Sequence, residues 1–329
     1  MVTINDVAKK AGVGVSTVSK VMNNYDNISE ATKKKVWDVV EELNYIPNSI
    51  ASALSSKSSR RVGLVVFINN HRQAIDEINM QYLFGAMNRS KELKLEIVTI
   101  FSTELDNKST QEIKQHFASL RVGALIIYGL SKENKEMHEL FEEDFIPFVI
   151  VDAPFSGPRI SYVTVDHIQA QYDMMNYMIK KHKPETVLYL AGRRNGYVTD
   201  FRLQGAVNAC MEHGVEINAQ YANFSEKEAI KLTEQYAEDS NLIVCASDLM
   251  AIGAVSQLKR MDIFRPVCGY DGITLLGYID YRIDTVNQDF YNISVAAIDA
   301  VERLLNGGEG EKIIMPHELI RIKYEDVIL

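Results

Sequence analysis

The spacing of apolar positions changes twice along this 329-residue chain, and the changes mark its parts. Over residues 3–23 (TINDVAKKAGVGVSTVSKVMN), Val7, Ala8 and Ala11 repeat at helical spacing and Gly12 interrupts them. From about Val15 a second set, Val18, Val21 and Met22, resumes the period. The pattern predicts two short helices joined by a tight turn. Thr3 is placed to cap the first, with Asp6 reaching back to it, and Gly12 accepts the left-handed conformation that ends a helix. A third amphipathic helix is expected over 29–44, with Val36, Val40 and Leu43 inward and Lys33, Lys34 and Lys35 outward. Residues 47–61 (PNSIASALSSKSSRR) break the pattern. Asn48 can cap a helix of about two turns carrying Ile50, Ala51 and Leu54 on one side, before serines dissolve it. So short a helix is marginal without packing, and a plain tether fits it.

From Arg61 the period shortens to that of buried strands. Apolar β-rich runs at 62–68, 95–101, 122–128, 147–152 and 162–166 alternate with amphipathic stretches around 76–92, 109–121 and 132–144. A second series has strands at 186–191, 242–247 and 266–270, with helices near 200–213, 226–238 and 248–261. Near-continuous apolar strands between helices argue for parallel sheets covered on both faces. The expectation is an all-α helix-turn-helix domain (1–47), a hinge helix and linker (48–60), and an α/β domain of two doubly wound lobes (61–329). A helix over 289–306 returns to the first lobe (about 61–162 and 290–317); the second takes about 163–289 and 318–329.

Composition narrows the class. Hydrophobic content of 47% and charge of 24% suit a globular protein, and no run approaches a membrane span. The N-terminus lacks the apolar core of a signal peptide. Three widely spaced cysteines, Cys210, Cys245 and Cys268, point to free thiols in a reducing compartment, so a cytoplasmic location is expected. The net charge of −9 divides unevenly. Residues 1–61 carry nine Lys/Arg against six Asp/Glu, and the remainder carries 26 against 38. A basic head on an acidic body suits local contact with phosphates, because salt screens charge beyond about 10 Å.

The second helix has a short polar face of Ser16, Thr17, Ser19, Lys20 and Asn23, which suits entry into a DNA major groove. A merely solvated helical hairpin would show the same pattern. Val15 is placed to touch a thymine methyl, and Ser16 is an undemanding hydrogen-bonder. In the body, Asp152, Arg202, Asp248 and Asp271 lie at or just past strand ends, where open parallel sheets bind ligands, or on the helix that follows. Carboxylates opposite a guanidinium make a clamp for a polyol, and Tyr128, Phe224 and Phe290 can supply apolar faces. Each has a plainer account: Arg202 as half of a structural ion pair, Asp248 as the N-cap of its helix, Asp271 as a turn residue beside Gly272, the aromatics as core.

The run 3–54 closely resembles the N-terminal domain of the LacI/GalR family of bacterial transcription regulators, and a looser resemblance extends to the C-terminus. It rests on the paired helices, on Tyr45-Ile46-Pro47-Asn48, and on LAGRRNGYVTDFRLQG (190–205), SDLMAIGA (247–254), CGYDG (268–272) and DTVNQD (284–289). The resemblance implies a homodimer on a pseudo-palindromic double-stranded operator and a periplasmic-binding-protein-like effector domain. It implies a repressor of carbohydrate genes, released by a small sugar, with no cofactor, metal or membrane partner. The residues implied on DNA are Thr3, Val15, Ser16, Thr17, Ser19, Lys20, Asn23, Asn48 and Ala51, with Leu54 as the hinge wedge in the minor groove. Those implied at the effector are Asn69, Tyr128, Asp152, Arg202, Phe224, Ser247, Asp271, Gln288 and Phe290.

The chain departs from the family in four places. Ser247 replaces an asparagine, Lys20 replaces an arginine and so loses its bidentate fork, the loop 69–82 lacks the usual proline-aromatic turn, and 259–266 is short. Rival readings are a regulator dependent on a purine or phosphocarrier co-repressor, a sugar-binding transport component, and an enzyme. Against the enzyme, no strand leads into a phosphate-binding glycine motif or a nucleophile elbow, and the seven histidines show no metal spacing.

Overall fold

The structure is a computed structural model that describes residues 3–22, 28–43, 60–67 and 77–328. The chain divides into two compact units, one of residues 1–61 and 107–123, the other of 62–106 and 124–329.

In the first unit, α1 (Ile4–Ala11), α2 (Val15–Met22) and α3 (Glu30–Glu42) close on a small core of Val7, Ala11, Val18, Val21 and Val36, all fully buried. The Asp6 carboxylate accepts from the Thr3 N–H (2.8 Å) and hydroxyl (2.7 Å), tying down the first turn. Gly12 ends α1 at φ 62°, where a side chain would be strained.

The second unit has two six-stranded sheets. The first, in the order β11-β5-β4-β3-β1-β2, comprises β1 (Arg61–Val66), β2 (Glu96–Phe101), β3 (Ala124–Tyr128), β4 (Phe148–Val151), β5 (Ile160–Val165) and β11 (Lys312–Met315). The second, in the order β12-β10-β9-β8-β6-β7, comprises β6 (Thr186–Ala191), β7 (Glu216–Tyr221), β8 (Leu242–Cys245), β9 (Val267–Asp271), β10 (Asp284–Asn287) and β12 (Glu318–Ile320). β12 runs antiparallel to β10, an exception to the expected parallel pairing. Every residue of β3, β4, β8 and β9 is buried, as helices on both faces require.

After α4 (Glu77–Leu93), α5 (Thr110–Ser119), which belongs to the first unit, and α6 (Lys135–Glu142), the chain forms α7 (His167–His182), α8 (Tyr197–His213), α9 (Glu226–Tyr236), α10 (Asp248–Met261), α11 (Phe290–Leu305) and α12 (Tyr324–Val327). α11 packs on α4 and on β3, β4 and β5, so the chain returns to the first sheet.

Among the elements that patterning left unassigned are α7, β7 and β10. α7 buries Met174, Met175 and Met178 but also His167 and Gln171, which blurs its apolar stripe. β7 is an edge strand whose residues are half-buried or exposed, and β10 is four residues long with a buried Asp284. The three cysteines are buried and free.

Candidate functional site

The carboxyl ends of β8, β9 and β10 bring Arg202, Asp271 and Gln288 together. Asp271, the last residue of β9, sits at φ 125°, a conformation rare for a residue with a side chain. Its Oδ1 accepts from Gln288 Nε2 (2.9 Å) and from Arg202 Nη1 (3.3 Å). The same Nη1 donates to the Ala246 carbonyl (2.6 Å), and the guanidinium lies 3.8 Å from the centre of the Tyr270 ring. All three polar side chains are at least nine-tenths buried. Burial pushes the Asp271 carboxyl up and the adjacent Arg202 opposes it. Two buried polar atoms here have no hydrogen-bond partner among the described residues: Arg202 Nε, a donor, and Gln288 Oε1, an acceptor. Buried polar groups are nearly always paired, so an unmatched donor and an unmatched acceptor in one cluster fit a ligand bearing hydroxyls, which both donate and accept.

Phe224 closes one side. It and Asn223 both adopt left-handed backbone, at φ 55° and 58°. The Phe224 ring rests on Gly192, where an added Cβ would come within 2.1 Å of it, and lies 6.0 Å from the Arg202 guanidinium.

The other wall comes from the first sheet. Asp152, just past β4 and at φ 62°, accepts from the Thr164 hydroxyl (2.9 Å) and meets His167 Nε2 at 3.0 Å. His167 Nδ1 lies 2.9 Å from the Tyr270 hydroxyl, beneath Arg202. Burial lowers the His167 pKa and Asp152 raises it, with burial winning. A neutral imidazole that donates from Nε2 to Asp152 and accepts the Tyr270 proton at Nδ1 satisfies all three groups. Tyr82 adds a longer contact to Asp152 (3.5 Å) and packs against Tyr128 (4.5 Å) and edge-on to Phe290 (5.2 Å).

The expected effector residues thus occupy different places. Asp152, Arg202, Phe224, Asp271 and Gln288 gather around one site. Tyr128 and Phe290 form its aromatic underlay, with the Tyr128 hydroxyl spent on Ser294 (2.6 Å). Ser247 is the N-cap of α10, accepting from the Met250 N–H (3.4 Å), so the N-cap reading of Asp248 is corrected. The Asp248 carboxylate instead accepts from the Gly272 (2.7 Å) and Ile273 (2.9 Å) N–H groups and from the Thr285 hydroxyl (2.6 Å), fixing the turn that carries Asp271. Sequence reasoning missed His167 and Tyr82. His167 follows the end of β5, and the strand-end rule that selected Asp152 would have selected it too.

Contacts between the two lobes flank the site. Glu77, at the start of α4, accepts from the Thr274 N–H and hydroxyl, all at 2.9 Å. Elsewhere Lys132 pairs with Asp200 and its N–H donates to the Asn195 carbonyl (3.0 Å), while Asn195 Nδ2 donates to Glu133 (2.5 Å).

On the head, Val15, Ser16 and Lys20 are exposed along α2, Thr17 and Ser19 are half-buried, and Thr3 caps α1. Asn23, Asn48, Ala51, Leu54 and Asn69 lie outside the described residues. Among the described residues, no group of three His, Cys, Asp or Glu side chains is placed to hold a metal ion. Among the described residues, too, no helix is long and apolar enough to cross a membrane.

Comparison with known proteins gives matches along nearly the whole chain. Residues 3–48 match the family of bacterial regulatory proteins, lacI family, and residues 66–309 match the periplasmic binding protein domain. Catabolite control protein A of Staphylococcus epidermidis is 26% identical, with 98% of each chain covered. Among solved structures, a complex of the transcriptional regulator CelR with cellobiose has a TM-score of 0.72 at 23% identity, covering 98% of this chain and 99% of that one. A Lac repressor dimer bound to operator and the anti-inducer ONPF has a TM-score of 0.66 at 22% identity, covering 97% and 98%.

Proposed function

The chain belongs to the LacI family of bacterial regulatory proteins, ligand-responsive DNA-binding regulators of transcription, and on that premise we propose that it is a sugar-released repressor of carbohydrate genes, acting in the cytoplasm as a homodimer. The observation that carries the sugar reading is the buried Asp271–Arg202–Gln288 cluster with its unmatched donor at Arg202 Nε and acceptor at Gln288 Oε1. A vicinal diol satisfies such a set: one hydroxyl donates to the carboxylate or amide oxygen while its neighbour accepts from the guanidinium. CelR, of similar fold, is described in complex with cellobiose.

The dimer reading draws on α4, where Met80, Phe84 and Met87 are 46%, 51% and 56% exposed at helical spacing, an apolar stripe of the kind that marks an interface. Two heads then present Val15, Ser16, Thr17, Ser19 and Lys20 to two half-sites, because one short reading helix covers few bases alone. A ligand that prefers the closed arrangement of the lobes shifts the population toward it, and the operator-competent arrangement is depleted in proportion.

The experiment is a thermal-shift screen of sugars, sugar phosphates and purines, followed by operator binding with and without the hit on a duplex selected from a random pool. A sugar should raise the melting temperature and weaken operator binding, and Asp271→Asn should lose both responses. A purine hit, or a sugar that strengthens operator binding, would overturn the release mechanism.

A further inference from the structure

An open cavity of about 520 Å³ is lined by Ser131, Glu133, Arg194, Asn195, Gln220 and Asn223, with the Tyr221 ring and Arg193 completing it. Ser131 and Glu133 follow β3 of the first sheet; the others follow β6 or end β7 of the second. The cavity therefore opens on the same carboxyl-end side as the Asp271 cluster, but at the edge of the sheet. In the order β9-β8-β6-β7, β7 lies three strand spacings from the strand of Asp271, about 14 Å across. A single sugar ring held by Asp271 and Arg202 does not span that distance.

The two places are joined by one turn. Asn223 lines the cavity, and the next residue, Phe224, lays its ring on Gly192 beside Arg202. Consecutive left-handed residues of this kind are strained and persist only where the surrounding structure holds them. Gly192 opens the loop that continues into Arg193, Arg194 and Asn195. Under that loop the Thr199 hydroxyl is fully buried with no partner among the described residues, within 2.4 Å of where a Gly192 Cβ would stand.

The lining chemistry is also that of hydroxyl recognition. Three side-chain amides, a carboxylate, two hydroxyls and two guanidiniums surround the cavity. The guanidinium of Arg194 is stacked 4.1 Å from the Tyr221 ring centre, which leaves its N–H edge to donate. Because Glu133 and Asn195 come from different lobes and bond to each other, a molecule seated here touches both lobes.

We propose that this cavity is a second saccharide subsite, and that the effector is a di- or oligosaccharide. Its first ring sits at Asp271 and Arg202, and the next passes over Phe224 into the cavity. The inference rests on the sugar reading above and names the size of the sugar. Its second ring adds contacts to both lobes, so chain length tunes closure.

Titration calorimetry on the full-length chain tests it with glucose, galactose and mannose, with cellobiose, lactose and mannobiose, and with glucose 6-phosphate. One disaccharide should bind at least about tenfold tighter than its constituent monosaccharides. Asn223→Ala and Gln220→Ala should each remove most of that advantage and leave monosaccharide affinity unchanged. Gln220 is on an edge strand, so that variant keeps the test open if the strained Asn223 turn misfolds. A monosaccharide that binds as tightly as every disaccharide, or variants that weaken both equally, would overturn the subsite alone. Preference for glucose 6-phosphate would make the cavity an anion site and also overturn it. No binding by any of the seven would refute the sugar reading together with the subsite.

Discussion

Removing the Arg202 guanidinium is the most informative perturbation of the cleft, because the sequence and the structure predict different consequences. A guanidinium held only for the ligand can be replaced with no effect on the fold. Here Arg202 is 4% exposed, pairs with a buried Asp271, donates to the Ala246 carbonyl and lies over Tyr270. Breaking a buried pair from one side leaves the other charge uncompensated, at a cost of about 3–5 kcal/mol. A domain of this size loses about 2–4 °C of melting temperature per kcal/mol, so Arg202→Met should melt about 6–20 °C lower than the parent chain. The loss should depend on pH with a definite sign. Burial already holds the folded-state pKa of Asp271 above its unfolded value, and removing the cation raises it further. A carboxyl with a raised folded pKa favours the folded state most below its unfolded pKa, near 4, and that contribution disappears as pH rises through the folded pKa. The gap between Arg202→Met and the parent should therefore be small near pH 4 and largest above neutrality. Adding Asp271→Leu should recover much of it, since the stranded charge is gone. Scanning calorimetry from pH 4 to 8 on the single and double variants reads all of this. A single variant melting within about 1 °C of the parent at pH 8, or a gap that widens on acidification, would refute a desolvated pair at this site.

Three further outcomes follow from the same geometry. Asp248→Ala strands two backbone N–H groups and the Thr285 hydroxyl, each costing about 1–3 kcal/mol when buried unpaired; denaturant unfolding should register roughly 3–9 kcal/mol lost, and a loss under 1 kcal/mol would deny Asp248 its structural role. Glu77→Ala removes one contact between the lobes worth about 0.5–1.5 kcal/mol, so effector affinity should fall roughly two- to tenfold by calorimetry with operator affinity unchanged; equal affinity would show that Glu77 does not hold the closed arrangement. Lys20→Ala, at an exposed position on α2, should reduce preference for the best operator half-site; a uniform loss across sequences with a shallower salt slope would make Lys20 a phosphate contact instead.

The periodicity of the chain determined most of its elements and their class by itself. The head follows from Val7, Ala11, Val18, Val21 and Val36, because so short a segment has one way to bury them. The parallel sheets follow from strands such as Ala124–Tyr128 and Leu242–Cys245, whose unbroken apolar runs leave no face for water. Strand ends then nominated Asp152 and Asp271 by position, and the helix after β6 supplied Arg202. Tertiary structure decided what those residues do to one another. Asp248 and Asp271 are both buried acids beside Gly272, and only the register of α10 against β9 and β10 shows that the first binds the turn while the second faces Arg202. His167 was passed over as a single polar residue at a helix start, and its role needed Asp152 and Tyr270 brought to it from both lobes. β7 and β10 were silent because an edge strand and a four-residue strand bury too little for a period to show. Local burial leaves a repeating trace along a chain. The pairing of polar groups across distant strand ends leaves none, and it exists only once the sheets have formed.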